Sequence, residues 1–382
     1  MQFRDIVGQQ KIKERLLETV KSGRISHAQL FLGKGVNGKF ALALAYGQYI
    51  NCTNRSTSDS CGVCPSCIKY QALTHPDLFF TFPVNKGKDS TSAKDLISPM
   101  FNKQWVEFLK ENKYYPHLQD WYKKIEIENK QGNINVAEAR RIVRDLHFKP
   151  SEAQQKVLII WQPEKMNISS ANLLLKFFEE PPENTLIIMV SDEKDQLLRT
   201  IQSRFQLIPI PKIADQDMKN HLQGKFPKLN NEQLITIINL ANGDLQKAYH
   251  LISSSDQVKE HFIMFQSWMQ ICFKRGSLEE IKSFVEKTSR IGRENQKQFL
   301  DYGLRLMREC LLSNYGHPSI QRLTKYESDW LKRFSPFVHI NNGPILIEKF
   351  DSAINEIGRN ANASVLFMNL SLDLSQLLKM KE

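Results

Sequence analysis

Two periods of apolar residues run along the chain. In the first half, short apolar stretches of strand length interleave with segments at 3.6-residue spacing, and in the last third only the helical spacing remains. Residues 29–32, 78–82, 156–161 and 186–190 read as strands. After Lys156 the last two are apolar throughout, as strands covered on both faces are. Residues 206–210 are strand-like. Helices are predicted over 9–20, ended by Ser22-Gly23; over 40–50, built from small and apolar residues; from a cap at Asn135 to about Phe148; and over 169–180, stopped by Pro181-Pro182. Strand and helix in alternation imply an α/β domain with a parallel sheet. From Pro211 onward the spacing is helical, over 231–241, 245–252, 258–274, 277–286, 294–312 and 344–357, with Gly243-Asp244 punctuating the first two. Residues 83–131, rich in Lys, Asn, Ser and aromatics without a steady period, read as an insertion.

Composition narrows the class. The chain has 382 residues, 41% hydrophobic and 24% charged, the balance of a soluble protein with several packed cores. No apolar run approaches the ~20 residues of a membrane helix, which excludes a transmembrane protein. The first residues carry no apolar signal segment, so a cytoplasmic location is expected. Lys and Arg number 52 against 41 Asp and Glu, a formal charge of +11 that favours a nucleic acid or another polyanion nearby.

Three groups of residues carry candidate chemistry. Gly33-x-x-x-x-Gly38-Lys39 follows a strand and opens a helix, where backbone N–H groups and the helix N-terminus can cradle phosphate. The next residue, where a hydroxyl would hold magnesium, is Phe40. The strand that should end in two carboxylates ends in Trp161-Gln162. The loop therefore reads as a degenerate nucleotide site, and ATP binding by this chain is not expected. Cys52-x8-Cys61-x2-Cys64-x2-Cys67 offers four thiolates at spacings that two tight knuckles bring to a tetrahedral zinc. A full set of sulfurs leaves no open position, so the metal would be structural. His75 reads as a surface or packing histidine, and Cys272 and Cys310 as core residues. Ser203-Arg204-Phe205 closes the segment before the last strand-like run; taken alone, Arg204 is a solvated charge.

The run Ala171-Asn172-Leu173-Leu174-Leu175-Lys176-Phe177-Phe178-Glu179-Glu180-Pro181-Pro182, followed by Leu197-Leu198-x-Thr200-Ile201-x-Ser203-Arg204-Phe205-Gln206, resembles the AAA+ subunits of the bacterial DNA polymerase III clamp loader. The opening Phe3-x-Asp5-Ile6-Val7-Gly8-Gln9 and the four-cysteine module fit the same family. The resemblance is close over 1–210, looser to about 255 and architectural beyond. It implies a P-loop AAA+ domain over 1–211 with a zinc module at 52–67 and the insertion at 83–131. An all-α lid over 212–255 and an all-α oligomerising collar over 256–382 would follow. The family contains an ATPase motor, the tau/gamma type, and a delta prime type; the damaged nucleotide motifs resemble the latter. That likeness implies a non-hydrolysing subunit that offers Arg204, with Ser203, to ATP on a neighbouring motor. The implied partners are tau/gamma and delta subunits, the sliding clamp and primed DNA. Phe205 stands where the family has Cys, Gln246 at the sensor-2 arginine position, and Ser191 at sensor 1. Two competing readings are the motor itself, which needs a hydroxyl at 40 and carboxylates at 161 and 162, and a zinc-dependent DNA-binding protein, which leaves the strand–helix motifs unexplained.

Overall fold

The computed structural model describes residues 1–86, 96–127, 130–253, 255–274, 278–316, 323–359 and 361–380. Packing divides the chain into two units, one of Met1–Leu234 with Ala241–Tyr249 and one of Ile235–Leu240 with His250–Glu382. The first is the α/β unit that the alternating pattern predicts. Its strands are β1 (Ala28–Leu32), β2 (Leu78–Thr81), β3 (Lys156–Trp161), β4 (Thr185–Ser191) and β5 (Gln206–Pro209). They form one five-stranded parallel sheet in the order β2-β3-β4-β1-β5.

Side-chain alternation sorts the two faces. Leu30, Leu158, Ile160, Ile187 and Met189 meet the helices Val136–His147 and Ile168–Glu179 in one apolar core with Phe178 and Phe205. The helix Lys39–Ile50 covers the other face and is buried along its whole length, which is why it shows no polar stripe. Asn135 caps its helix as expected, its Oδ1 accepting the Glu138 N–H at 2.9 Å.

In a parallel sheet all carboxyl ends lie together. Because β1 sits between β4 and β5, this topology brings Gly33 after β1, Trp161-Gln162 after β3, Ser191-Asp192 at the end of β4 and Ile210-Pro211 after β5 to one edge. The insertion leaves β2 at that same edge. It is more ordered than its sequence suggests, with helices Asn102–Glu111 and Leu118–Lys124. Ser98 ties it to the helix Val136–His147: its N–H donates to Glu138 Oε2 at 2.8 Å, and Glu138 is buried against Arg141 at 2.7 Å.

The second unit is helical, with a core around Phe265, Trp268, Phe284, Phe299, Phe350 and Phe367. Cys272 and Cys310 are buried in it, as expected. The helices Lys325–Phe334 and Ala363–Leu377 of this unit were not foreseen, nor was Asp215–Lys225 in the first. No helix among the described residues is long and apolar enough to cross a membrane.

Candidate functional site: a closed P-loop, a cysteine knuckle and an arginine edge

The glycine-rich loop has the backbone of a phosphate cradle. Gly35 and Gly38 take positive φ of 69° and 93°, and the loop feeds directly into the Lys39–Ile50 helix. Several of its polar groups are already engaged within the chain. The Val36 N–H donates to Asp244 Oδ2 at 2.9 Å, so a carboxylate lies against the loop where a phosphate oxygen would. A Cβ on Gly35 would lie 2.7 Å from that same oxygen. Lys39 Nζ pairs with Asp192 Oδ1 at 2.6 Å and also donates to the Gly35 carbonyl. Asn37 Nδ2 donates to the Ile210 carbonyl at 2.8 Å, stitching the loop to the end of β5.

Both positions that should hold oxygen ligands are occupied by rings of one aromatic cluster. Phe40 lies 6.2 Å from Phe80 and 5.8 Å, edge-on, from Trp105. Trp161 lies 5.2 Å from Trp105. Trp105 stacks on Phe82 at 4.2 Å and meets Trp121 edge-on at 5.0 Å. Trp105, Phe108 and Trp121 all come from the insertion. The space left beside the loop measures about 10 Å³, between residues 36–40, Trp161 and the insertion residues Tyr114, Tyr115 and Pro116. That holds about one water. Gln162 donates to Asp192 Oδ2 at 2.9 Å, and Ser191 Oγ donates to Glu164 Oε2 at 2.9 Å. Burial, then the nearby Asp192 charge, pushes the Glu164 carboxyl above its ordinary value.

The four cysteines converge. Their sulfurs lie within 4.8 Å of one another, with Cys52–Cys64 at 4.0 Å and Cys61–Cys67 at 3.9 Å. Tetrahedral zinc with bonds of ~2.3 Å sets sulfurs about 3.8 Å apart, so the donor set and spacing fit that metal. Backbone N–H groups of Cys61 and Cys64 donate to the sulfurs of Cys52 and Cys61, each at 3.3 Å, and bonds of that kind favour the thiolate. His75 is a packing residue. It is buried 4.8 Å from the Tyr70 ring, its Nδ1 accepts the Asp77 N–H at 3.1 Å, and burial lowers its pKa.

Arg204 stands at the edge of the unit but is paired within the chain. Its guanidinium pairs with Glu179 and donates to the Thr200 carbonyl at 2.6 Å, leaving the side chain 25% exposed. Ser203 beside it is exposed. Phe205 packs edge-on against Phe178 at 5.1 Å, so the departure from the usual Cys is a core contact. Sequence reasoning did not anticipate Asp192, Glu179 or Tyr115. Asp244 was noted only as punctuation.

The family model described as DNA polymerase III, delta subunit, matches residues 8–214, more than half of the chain. The chain belongs to that family. Over 325 residues it is 25% identical to DNA polymerase III subunit delta′ of Bacillus subtilis (strain 168), covering 81% of this chain and 79% of that one. Over 257 residues it is 26% identical to DNA polymerase III subunit tau of the same bacterium, covering 66% of this chain but 37% of tau. The chain thus spans little more than a third of the tau relative and most of the delta′ relative. Within the family it is a clamp-loader AAA+ subunit of the delta prime type. Among solved structures, a DNA polymerase III gamma-subunit-related protein from Thermotoga maritima aligns over 97% of this chain and 100% of its own at 15% identity, with a TM-score of 0.39.

Proposed function

We propose that this chain is the non-hydrolysing delta prime subunit of a DNA polymerase III clamp loader, working with tau/gamma and delta subunits to place the sliding clamp on primed DNA in the cytoplasm. The observation that carries the reading is the closed corner at Gly33, Gly38 and Lys39, with about 10 Å³ left and both oxygen-ligand positions filled by Phe40 and Trp161. Phosphoryl transfer depends on Mg²⁺ and its ligands to neutralise developing charge, and neither Phe40, Trp161 nor Gln162 can supply them. That observation counts against the motor reading, and the sheet with its P-loop counts against an unrelated zinc-dependent DNA-binding protein. Cys52, Cys61, Cys64 and Cys67 hold a structural zinc in this reading. The three-part division, with a lid over 212–255 and an oligomerising collar over 256–382, goes with it.

The chemistry the chain contributes is Arg204. A planar guanidinium can bridge phosphate oxygens on a neighbouring subunit's ATP without its own subunit binding nucleotide. To do so it exchanges Glu179 for phosphate, a small cost because a partly exposed pair is worth about 0–1 kcal/mol. The test is ATP turnover in an assembled loader whose only active motor site faces this chain. Arg204→Ala is expected to leave assembly intact and to cut turnover about 10³-fold or more. Arg204→Lys should recover little, since lysine lacks the five-donor fork. Wild-type turnover in both variants would overturn the trans role. Low-micromolar Mg·ATP binding by the isolated chain would overturn the closed site.

A further inference from the structure

The turn formed by residues 112–116 of the insertion meets every wall of the closed corner. Tyr115 Oη accepts the Val7 N–H at 3.0 Å, and its ring lies beside Gly38, where a Cβ would stand 3.3 Å from Cε1. Tyr114 and Pro116 line the same small space as Lys39 and Phe40. On the far side, Asn112 Oδ1 accepts the side-chain N–H of Gln246, in the helix that begins just after Asp244, the residue whose carboxylate holds the Val36 N–H. Five consecutive residues therefore bond to the segments around Val7 and Gln246 and pack on the phosphate loop at Gly38, while Val36 is bonded to Asp244 and Leu245 at the start of the Gln246 helix.

The backbone of this turn is itself constrained. Lys113 and Tyr114 both take left-handed φ, 51° and 65°, although neither is glycine. Two such residues in succession are sparsely populated and persist where surrounding contacts over-determine them. Here those contacts are the Tyr114 N–H to Leu109 carbonyl bond at 2.7 Å, the Tyr115 N–H to Asn112 carbonyl bond at 2.9 Å, and the buried Tyr115 side chain.

We infer that residues 112–116 act as a tethered internal ligand of the P-loop corner, holding the phosphate loop, the segment around Val7 and the start of the Leu245–Ser253 helix in one arrangement that needs no nucleotide. The inference rests on the reading of this corner as nucleotide-free and assigns the insertion the part a bound ligand plays elsewhere. A ligand that binds only the ordered form stabilises it by mass action, and a covalent tether keeps its effective concentration high whatever the cellular nucleotide level. Asp244 supplies the anion and Tyr115 the aromatic body and the acceptor for Val7.

The test is backbone hydrogen exchange on the isolated full chain, with Tyr115→Phe removing one hydroxyl and Asn112→Ala removing the bond to Gln246. Either variant should speed exchange at Val7, Val36 and Leu245 together by about 5- to 10-fold, the effect of one lost hydrogen bond shared across a coupled unit. Amides in the cysteine knuckle and in the second unit should not change. Exchange that changes only at the amide nearest each substitution, or nowhere, would overturn the inference. So would slower exchange at these three amides in the wild-type chain on adding saturating Mg·ATP. Failure of the trans-arginine reading appears separately, as unchanged turnover of Arg204→Ala in the assembled loader.

Discussion

The helix Lys39–Ile50 has a candidate site at each end, and the two have been treated in opposite ways. At its N-terminus the loop keeps the shape of a phosphate cradle, but Asp244 and Asp192 satisfy its amide and its lysine and aromatic rings take the ligand positions. Just past its C-terminus, four sulfurs lie within 4.8 Å of one another, at zinc spacing. A fold can therefore retain a motif's backbone after its chemistry is gone, because the loop also serves as the turn between β1 and its helix. The cysteine cluster serves no such turn, and its four-sulfur donor set at this spacing fits zinc. The motif's sequence is a weaker guide to activity than what its polar groups touch.

The largest expected effect is at the metal end. Structural zinc supplies on the order of 10 kcal/mol of folding free energy locally. Chelation, or Cys64→Ser, should therefore abolish exchange protection across residues 52–72 while the sheet remains folded. Metal analysis well below one zinc per chain, from a metal-replete preparation, would leave the two ends alike and break the comparison. At the loop end the stabilising agent is packing. Trp105→Ala, which empties the middle of the aromatic cluster, should cost about 3–5 kcal/mol and lower Tm by on the order of 10 °C. A sharper version restores the missing chemistry: Phe40→Ser with Trp161→Asp and Gln162→Glu. Because Tyr114, Tyr115 and Pro116 still fill the corner, this chain should be less stable than wild type and still hydrolyse no ATP. Measurable turnover in it would show that only the ligands, and not the space, had been lost.

Much of this was legible in the sequence where the signal was periodic or local. All five strands follow from apolar runs, the Asn135 cap from a polar residue before an amphipathic stretch, and the knuckle from spacing alone. The loss of the oxygen ligands was readable at Phe40, Trp161 and Gln162, single positions in a known frame. What escaped was long-range. The insertion showed no steady period because its apolar residues, Trp105, Phe108 and Trp121, gather into one cluster with Phe40, Phe82 and Trp161 from outside it. The two helices among its described residues are short, at 10 and 7 residues, and the helical spacing of Trp105, Phe108 and Leu109 spans little more than one turn. Arg204 read as a solvated charge because its partner Glu179 precedes it by 25 positions and is brought near only when the chain has run through β4 and returned over residues 192–203. Asp244 lay even further from Val36, so nothing local could mark it as the loop's anion.

The smallest effect expected is a pH slope, and it separates the two ends by sign. Glu164 lies under the closed corner, accepting Ser191 Oγ at 2.9 Å and the Asp192 N–H at 3.2 Å, and burial raises its pKa. A carboxyl raised on folding binds more protons in the folded state than in the unfolded one across the window between the two pKa values. Stability then falls as pH rises through that window, which opens near the unfolded value of about 4.3. Below it both states are protonated and the term vanishes. Glu164→Gln keeps an acceptor for Ser191 and Asp192 but cannot titrate, so its Tm should match wild type near pH 4 and exceed it at pH 7 by on the order of 1–3 °C. The cysteine knuckle must slope the other way, since its thiols lose protons on binding metal and acid therefore releases zinc. Thermal scans from pH 4 to 8 on the wild type and Glu164→Gln, each with and without chelator, resolve the two contributions. A Glu164→Gln chain less stable than wild type at pH 7 would mean that the carboxylate is held charged by Ser191 and Asp192, and that the corner is a polar site and not a filled one.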